Sequence, residues 1–299
     1  MFTGSWVAIV TPMRDDGSID LAAWERLLDW HAAEGTDGIV VGGTTGESAT
    51  LTDEELRTLV RAAVARVGGR LSIIAGAGVP STAVSVERAR MLSALGVDGL
   101  LVVTPAYVKP TQEGLFRHYS AVAAASAVPV VLYNVPGRTG VDMLPATVAR
   151  LAAVPGIVAL KEAVAGAARV RELRAAAPGV TVLSGDDPTA REAILAGARG
   201  VISVTANVAP RLMAEMVAAA MTADAATAAA IDDRLAGLHQ ALFVEPNPIP
   251  AKWALARMGL MPGGLRLPLT PLTAAGEAPV LSAMRRAGII PASPLTGRR

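Results

Sequence analysis

Lys161 has both the residue type and the setting for covalent chemistry, and it is one of three lysines in a chain that otherwise uses arginine for positive charge. It directly follows Gly156-Ile157-Val158-Ala159-Leu160, an apolar run that reads as a buried parallel strand. Burial disfavours a charged ammonium, and a lysine so placed has no easy reach to water. An uncharged amine attacks ketones, and imine formation is the usual reason to bury one. A second reading stands beside it. Glu162 is next in sequence, and the two could simply form an ion pair. Position alone leaves both readings open.

Other residues complete a chemical inventory. Gly42-Gly43-Thr44-Thr45-Gly46-Glu47 reads as a turn that binds an anion through backbone amides and hydroxyls, unless it is only a glycine-rich turn. Paired threonines suit a carboxylate, whereas Glu47 would oppose a doubly charged phosphate. Tyr133 follows a strand-like run and Tyr107 follows Thr104-Pro105, so two of three tyrosines stand where hydroxyls could move protons. Tyr133 reads equally as a core tyrosine with a satisfied hydroxyl. Arg138, in Asn134-Val135-Pro136-Gly137-Arg138-Thr139-Gly140, is either a surface arginine or a fork for a second carboxylate substrate. Asp186-Asp187 places two acids in a late loop of the kind that often holds phosphate, which argues against sugar phosphates. His31, His118 and His239 all fall on helical segments, against histidine acid–base catalysis and a histidine metal site. With no cysteine, thiolate metal sites and a cysteine nucleophile are excluded. Neither a cofactor nor a metal is expected.

These residues need elements to hold them. Strand-like runs occur at 6–10, 38–41, 71–75, 99–103, 130–132, 157–160, 181–183 and 201–203. Helical patterns alternate with them at 21–33, 53–67, 83–95, 113–126, 144–153, 165–176, 189–196 and 211–221. Eight strand–helix units in succession predict an α/β fold, a (β/α)8 TIM barrel, with a doubly wound open sheet as the alternative. Thr52-Asp53-Glu54-Glu55 is a capping box, and glycines at 35, 68, 96 and 197 follow helical runs where left-handed caps are wanted. After about residue 222 the alternation stops. Residues 1–222 then form a catalytic barrel and 223–299 a C-terminal helical extension, with helices at 224–242, from Pro248 to Gly259, and at 275–287. In such a barrel the strand carboxyl ends face the reaction chamber. Those ends carry Thr11, Thr44, Thr45, Gly76, Thr104, Tyr133, Asn134, Lys161, Glu162, Ser184, Gly185, Asp186 and Ser203.

Composition sets the outer limits. The chain has 299 residues, 52% hydrophobic and 18% charged, which fits a globular protein with a large core. Net charge is +1 with no basic stripe, so nucleic acid is not expected as a partner. Thr296-Gly297-Arg298-Arg299 reads as a solvated tail. Met1-Phe2-Thr3-Gly4-Ser5 lacks the features of a signal peptide, and apolar runs fall short of the ~18–20 residues of a membrane span. A cytoplasmic location is expected.

At these residues the chain closely resembles the dihydrodipicolinate synthase family of pyruvate-dependent lyases and aldolases, from about Gly4 to Ile290. The resemblance rests on an ordered set: Gly43-Thr44-Thr45-Gly46-Glu47-Ser48, Tyr133-Asn134-Val135-Pro136 with Arg138-Thr139-Gly140, and Lys161-Glu162-Ala163. It continues through Ser184-Gly185-Asp186-Asp187, Gly200-Val201-Ile202-Ser203-Val204, and Pro246-Asn247-Pro248-Ile249-Pro250 with Lys252. It implies that pyruvate condenses with aspartate semialdehyde through an imine on Lys161. Tyr133 is then the central proton carrier, and Thr45 passes protons toward Tyr107, which in this family enters a neighbouring subunit's site. Thr44 and Thr45 are implied to hold the pyruvate carboxylate, Arg138 the semialdehyde carboxylate, and the backbones of Gly185 and Ile202 to lie near the lysine. A homo-oligomer, a dimer of dimers, is implied as well.

Departures from the family pattern concern regulation. Lysine-inhibited members carry aromatic and polar side chains at a cleft; Ser48 and Ala49 match, whereas Asp53, Leu56, Pro80, Val84 and Ala106 do not. Feedback by lysine is therefore expected to be weak or absent. The nearest rival is an N-acetylneuraminate lyase or 2-keto-3-deoxy-sugar-acid aldolase, which usually lacks the Pro-x-Arg-Thr-Gly continuation around Arg138. A silent keto-acid sensor is a third reading, opposed by the intact set of Lys161, Tyr133, Thr45 and Tyr107.

Overall fold

Eight parallel strands close on themselves in chain order in the computed structural model, which describes residues 2–290. The strands are β1 Gly4–Ala8, β2 Gly38–Val41, β3 Ser72–Gly76, β4 Gly99–Val103, β5 Val130–Asn134, β6 Ile157–Glu162, β7 Thr181–Ser184 and β8 Gly200–Ser203. Closure comes from β8 pairing back onto β1, from Gly4↔Gly200 to Val7↔Ser203. That pairing decides for the TIM barrel over the open sheet. The expected tail at Thr296-Gly297-Arg298-Arg299 lies outside the described residues.

Around the barrel run α1 Leu21–Ala33, α2 Asp53–Val67, α3 Thr82–Ser93, α4 Gln112–Ala125, α5 Pro136–Thr139, α6 Pro145–Leu151, α7 Ala167–Ala176, α8 Ala190–Leu195 and α9 Pro210–Met221. Beyond them lie α10 Ala225–Ala241, α11 Ile249–Arg257 and α12 Ala274–Arg286. Local chemistry explains the boundaries. Side-chain oxygens of Asp20, Thr52, Ser81, Thr111, Asp224 and Thr273 each accept a free backbone N–H at a helix start. Gly35, Gly96 and Gly197 have φ of 82°, 82° and 106°, as left-handed caps require. Gly68 departs from expectation with φ −54°, and Gly69 at φ 79° takes the left-handed position instead. The short α5 escaped the periodicity because a single turn carries no repeat.

Alternation along the strands divides the core into two layers. Outward side chains such as Val7, Ile39, Ile73, Leu100, Leu132, Leu160, Val182 and Val201 meet the helices. Inward ones, Trp6, Ala8, Val40, Ile74, Leu101, Val131, Ala159, Leu183 and Ile202, fill the barrel. Phe2 and Trp6 meet edge to face at its amino-terminal end, with centroids 5.5 Å apart. A Cβ on Gly38 would stand 2.4 Å from the Trp6 ring, so only glycine at that position leaves room for the plug. With that end filled, the concavity opens at the carboxyl ends.

Residues after the barrel strands also grip the barrel. Arg266 makes a forked contact with Glu55, the residue that completes the Thr52 capping box. This guanidinium holds the Glu55 carboxyl at about 2, below its ordinary 4.5. A carboxylate depressed in the folded state stabilises above the unfolded value and loses that contribution as pH falls through the folded one. Glu55→Gln is expected to lower Tm at neutral pH by a few degrees. Its gap to the parent should close as pH falls from about 4.5 toward about 2, followed by thermal melts across that range. A gap independent of pH would show that the fork contributes nothing electrostatic.

Candidate active site

Strand β6 carries two adjacent ionisable residues, and the pleat sends them to opposite faces. Lys161 follows Ala159 on the inward face and is 5% exposed. Its Nζ lies 4.4 Å from the centroid of the Tyr133 ring. The two are register partners, Tyr133↔Lys161, on neighbouring strands. Glu162 points outward with Leu160 and finds other partners. It accepts from Arg169 Nε at 3.0 Å, Asn134 Nδ2 at 3.0 Å and Val164 N at 2.8 Å. Among the described residues Lys161 has no ion-pair partner, so the reading of a Lys161–Glu162 pair fails.

The outward network has its own task. Burial pushes the Glu162 carboxyl up, against the opposing pull of its N–H donors and Arg169. Arg169 also donates to Asp142 Oδ1 at 2.8 Å, and Asn134 bridges Asp142 to Glu162. This web ties down the segment after β5 that carries Arg138. Thr104 adds a hydrogen bond to Thr139 Oγ1 at 3.1 Å. Sequence reasoning missed Arg169 and Asp142. The available signal was a pair of polar residues, Asn134 and Glu162, on otherwise apolar strands.

A cavity of about 160 Å³ opens over Lys161, lined by Thr44, Thr45, Tyr133, Arg138, Gly185 and Asn247 among others. Six of the expected site residues thus meet in one chamber: Lys161, Tyr133, Thr44, Thr45, Arg138 and Gly185. Gly185 is required there, because a Cβ would come 2.9 Å from Lys161 Cε and 3.1 Å from its Cγ. Ile202 lies buried in the inner layer of the barrel and does not line the cavity. Tyr107 does not join its own chain's chamber. It is 93% exposed and holds a left-handed backbone at φ 71°.

The turn after β2 is built from both ends of the chain. Thr11 Oγ1 donates to Gly46 O at 2.8 Å. Asn247 Nδ2 donates to Thr45 Oγ1 at 2.9 Å. Glu47, itself at φ 57°, pairs with Lys252 while both are fully buried. Burial pulls the Lys252 ammonium down, and Glu47 opposes that pull. Glu47 is therefore occupied with the fold and not aimed at a ligand. The late acids behave similarly. Asp187 Oδ2 accepts from Val204 N and Thr205 N, both at 2.9 Å, and Asp186 from Thr189 Oγ1 at 2.6 Å. The histidines stay on helices α1, α4 and α10; burial holds His31 down at about 3 and His118 at about 4.

A second cleft, about 470 Å³, shares Thr44, Arg138 and Asn247 with the chamber. Ser48, Ala49, Pro80 and Ala106 line it, as the sequence pattern expects of positions at a cleft. Leu56 does not, being buried in the core, and Asp53 is engaged by Arg88 at 2.7 Å.

Residues 1–286 match the dihydrodipicolinate synthetase family. The chain is 55% identical over 291 residues to a 4-hydroxy-tetrahydrodipicolinate synthase of Methylococcus capsulatus, covering 97% of this chain and 100% of that one. Among solved structures it is similar to a chloride-inhibited dihydrodipicolinate synthase from Acinetobacter baumannii complexed with pyruvate. That likeness has TM-score 0.95 and 48% identity, covering 97% of this chain and 100% of the other. A monomeric dihydrodipicolinate synthase variant is similar at TM-score 0.94 and 39% identity, with 97% and 98% covered. No helix among the described residues is long and apolar enough to cross a membrane. With its closed barrel, its buried lysine and a match running almost from end to end, the chain belongs to the dihydrodipicolinate synthetase family.

Proposed function

We propose that the chain condenses pyruvate with L-aspartate 4-semialdehyde through an imine on Lys161, giving 4-hydroxy-tetrahydrodipicolinate on the route to diaminopimelate and lysine. The observation that carries this is the position of Lys161 Nζ: buried, unpaired among the described residues, and set against Tyr133 in a polar chamber. The Lys161 amine attacks the pyruvate keto carbon and water leaves. Loss of a methyl proton then gives an enamine, with the imine as electron sink. The enamine carbon attacks the aldehyde carbon, and cyclisation with transimination releases the lysine.

Tyr133 is the proton carrier against the lysine, and Thr45 passes protons toward Tyr107. Thr44 and Thr45 hold the pyruvate carboxylate. Arg138, at the rim, takes the semialdehyde carboxylate with its fork. The backbones of Gly185 and Ile202 border the lysine. We assign Tyr107 to the chamber of a neighbouring subunit in a dimer of dimers. Its exposure supports this, as does a left-handed backbone that costs about 1–2 kcal/mol and is best explained by contacts beyond one chain. Residues 1–222 are the catalytic barrel, and from 223 onward an extension follows, helical over its described residues, that also supplies Asn247 to the chamber wall. The setting is a cytoplasmic biosynthetic enzyme. The synthase name of the 55% identical relative favours this reaction over sugar-acid cleavage.

Borohydride with pyruvate is expected to add mass to the protein at the peptide containing Lys161; no trapping, or trapping elsewhere, would sink the imine mechanism. Arg138→Ala should cut kcat/KM for the semialdehyde by about 10²–10³-fold, the scale of losing a charged hydrogen-bonded partner, while pyruvate trapping persists. Retained semialdehyde turnover would refute the assignment of Arg138. Turnover is expected to be unchanged in millimolar lysine, since Pro80 and Ala106 present apolar surface to the second cleft. Strong inhibition would overturn that expectation.

A further inference from the structure

Asp187 carries one oxygen more than its place in the fold requires. It lies just beyond β7, is 3% exposed, and lines the chamber. Its Oδ2 accepts from Val204 N and Thr205 N, both at 2.9 Å, which clamps the end of β7 to the end of β8. One acceptor oxygen suffices for such a task; Ser203 Oγ accepts from Ala206 N at 2.8 Å with no charge at all. Asp187 Oδ1 is buried as well, and it has no hydrogen-bond partner among the described residues. Lys161 and Arg138, the two cations that line the chamber, do not donate to it. A second acceptor on the chamber wall is in the same condition. Asn247 Nδ2 donates to Thr45 Oγ1 at 2.9 Å, and that bond fixes which way the amide faces. Its Oδ1 is buried without a partner among the described residues. Buried oxygens without donors are costly, so two of them on one chamber call for a function.

We infer that Asp187 Oδ1 and Asn247 Oδ1 form the subsite for the α-ammonium of the semialdehyde substrate. This rests on the reading in which Arg138 takes that substrate's carboxylate. L-Aspartate 4-semialdehyde carries its carboxylate and its ammonium on one carbon, and an ammonium has three N–H donors and no acceptor. The Arg138 fork serves the first group and leaves the second with nothing. Asp187 supplies the opposite charge and Asn247 a neutral acceptor, in a chamber walled by protein where a charged hydrogen bond is strong. With both groups held and the aldehyde facing the enamine, three attachments fix the hand of the α-carbon. The subsite thus selects the L form. Release of the lysine requires the substrate nitrogen to reach the carbon bound to Lys161. Gly185, two residues before Asp187, packs against the Lys161 side chain, so a nitrogen held at Asp187 is kept on that side of the chamber. The subsite binds and orients; it takes no part in bond making.

The test uses Asp187→Asn, assayed with L-aspartate 4-semialdehyde and with 4-oxobutanoate, the same molecule without its amino group. The amide oxygen still accepts from Val204 N and Thr205 N, while the NH2 replaces Oδ1 and meets the ammonium as a second donor. The expected result is a fall of roughly 10²–10³-fold in kcat/KM for the semialdehyde, with kcat/KM for pyruvate changed by less than about 3-fold. 4-Oxobutanoate cannot close the ring, so its condensation is read in single turnovers, as the rate at which borohydride traps the condensed adduct by mass. That rate should stay within about 3-fold of the parent, because there is no ammonium to lose. Each aldehyde is compared with the parent on the same aldehyde, which removes the effect of the missing ring closure. Semialdehyde kcat/KM within about 2-fold of the parent overturns the inference. So does an equal loss with both aldehydes or with pyruvate, the mark of a clamp between β7 and β8 and nothing more. If the parent forms no adduct with 4-oxobutanoate, the split between pyruvate and semialdehyde decides. If circular dichroism shows Asp187→Asn unfolded, Asn247→Ala takes its place. That change disturbs Thr45 for either aldehyde, so an extra loss of at least about 3-fold with the semialdehyde supports the inference and equal losses overturn it. Failure of the wider reading looks different: a parent that pyruvate and borohydride do not label, or that does not turn over the semialdehyde, removes the substrate itself.

Discussion

One residue of offset between β5 and β6 decides which side chain of β6 meets Tyr133. Val130 pairs with Ile157, but Val131 pairs with Ala159, so Val158 has no counterpart and the strand is bulged there. Without that offset Tyr133 would pair with Leu160, and Lys161 would point to the helices. A shift by one residue exchanges the two faces of a strand. The bulge therefore puts an amine inside the barrel and a carboxylate outside it. Bulges of this kind often sit beside active sites, where they re-aim a side chain.

Two neighbouring ionisable groups then live by different rules. Lys161 is held by shape: Gly185 leaves space for its methylenes, and the Tyr133 ring lies against its nitrogen. Glu162 is held by hydrogen bonds, because a buried carboxylate needs partners for its lone pairs. Arg169, Asn134 and Val164 supply them. The same partners stiffen the segment bearing Arg138. Charge that does no chemistry on the outer face thus supports chemistry on the inner one.

The C-terminal extension takes part in the site without being part of the barrel. Asn247 and Lys252 reach the turn after β2, and Arg266 reaches both Glu47 and Glu55. A fully buried Lys252–Glu47 pair adds little net stability over apolar packing, yet removing one partner would strand a charge at a cost of about 3–5 kcal/mol. Such a pair suits a place where one geometry of the turn must be enforced. Its two members lie 205 residues apart in sequence.

Much of this was legible in the chain before any coordinates. Eight apolar runs between amphipathic segments require a strand–helix alternation, because each run has only a handful of residues and each helix only one apolar stripe. The capping box at Thr52 and the cap at Asp224 are local, so their residues suffice to place them. Lys161, Thr44, Thr45, Tyr133 and Arg138 could be singled out because polar residues at or just after the ends of apolar strands must serve some purpose, whereas Gly185 came from the family resemblance alone. The sequence could not say whether Lys161 or Glu162 faced inward, since an apolar strand buried on both sides has no alternation to read. Nor could it join Asn247 to Thr45, or Lys252 to Glu47, because hydrogen bonds across some two hundred residues leave no local pattern. Residue type and near-neighbour spacing determined which groups were available for chemistry. Strand register and barrel closure decided which of them share a chamber, because only pairing in three dimensions assigns a side chain to a face.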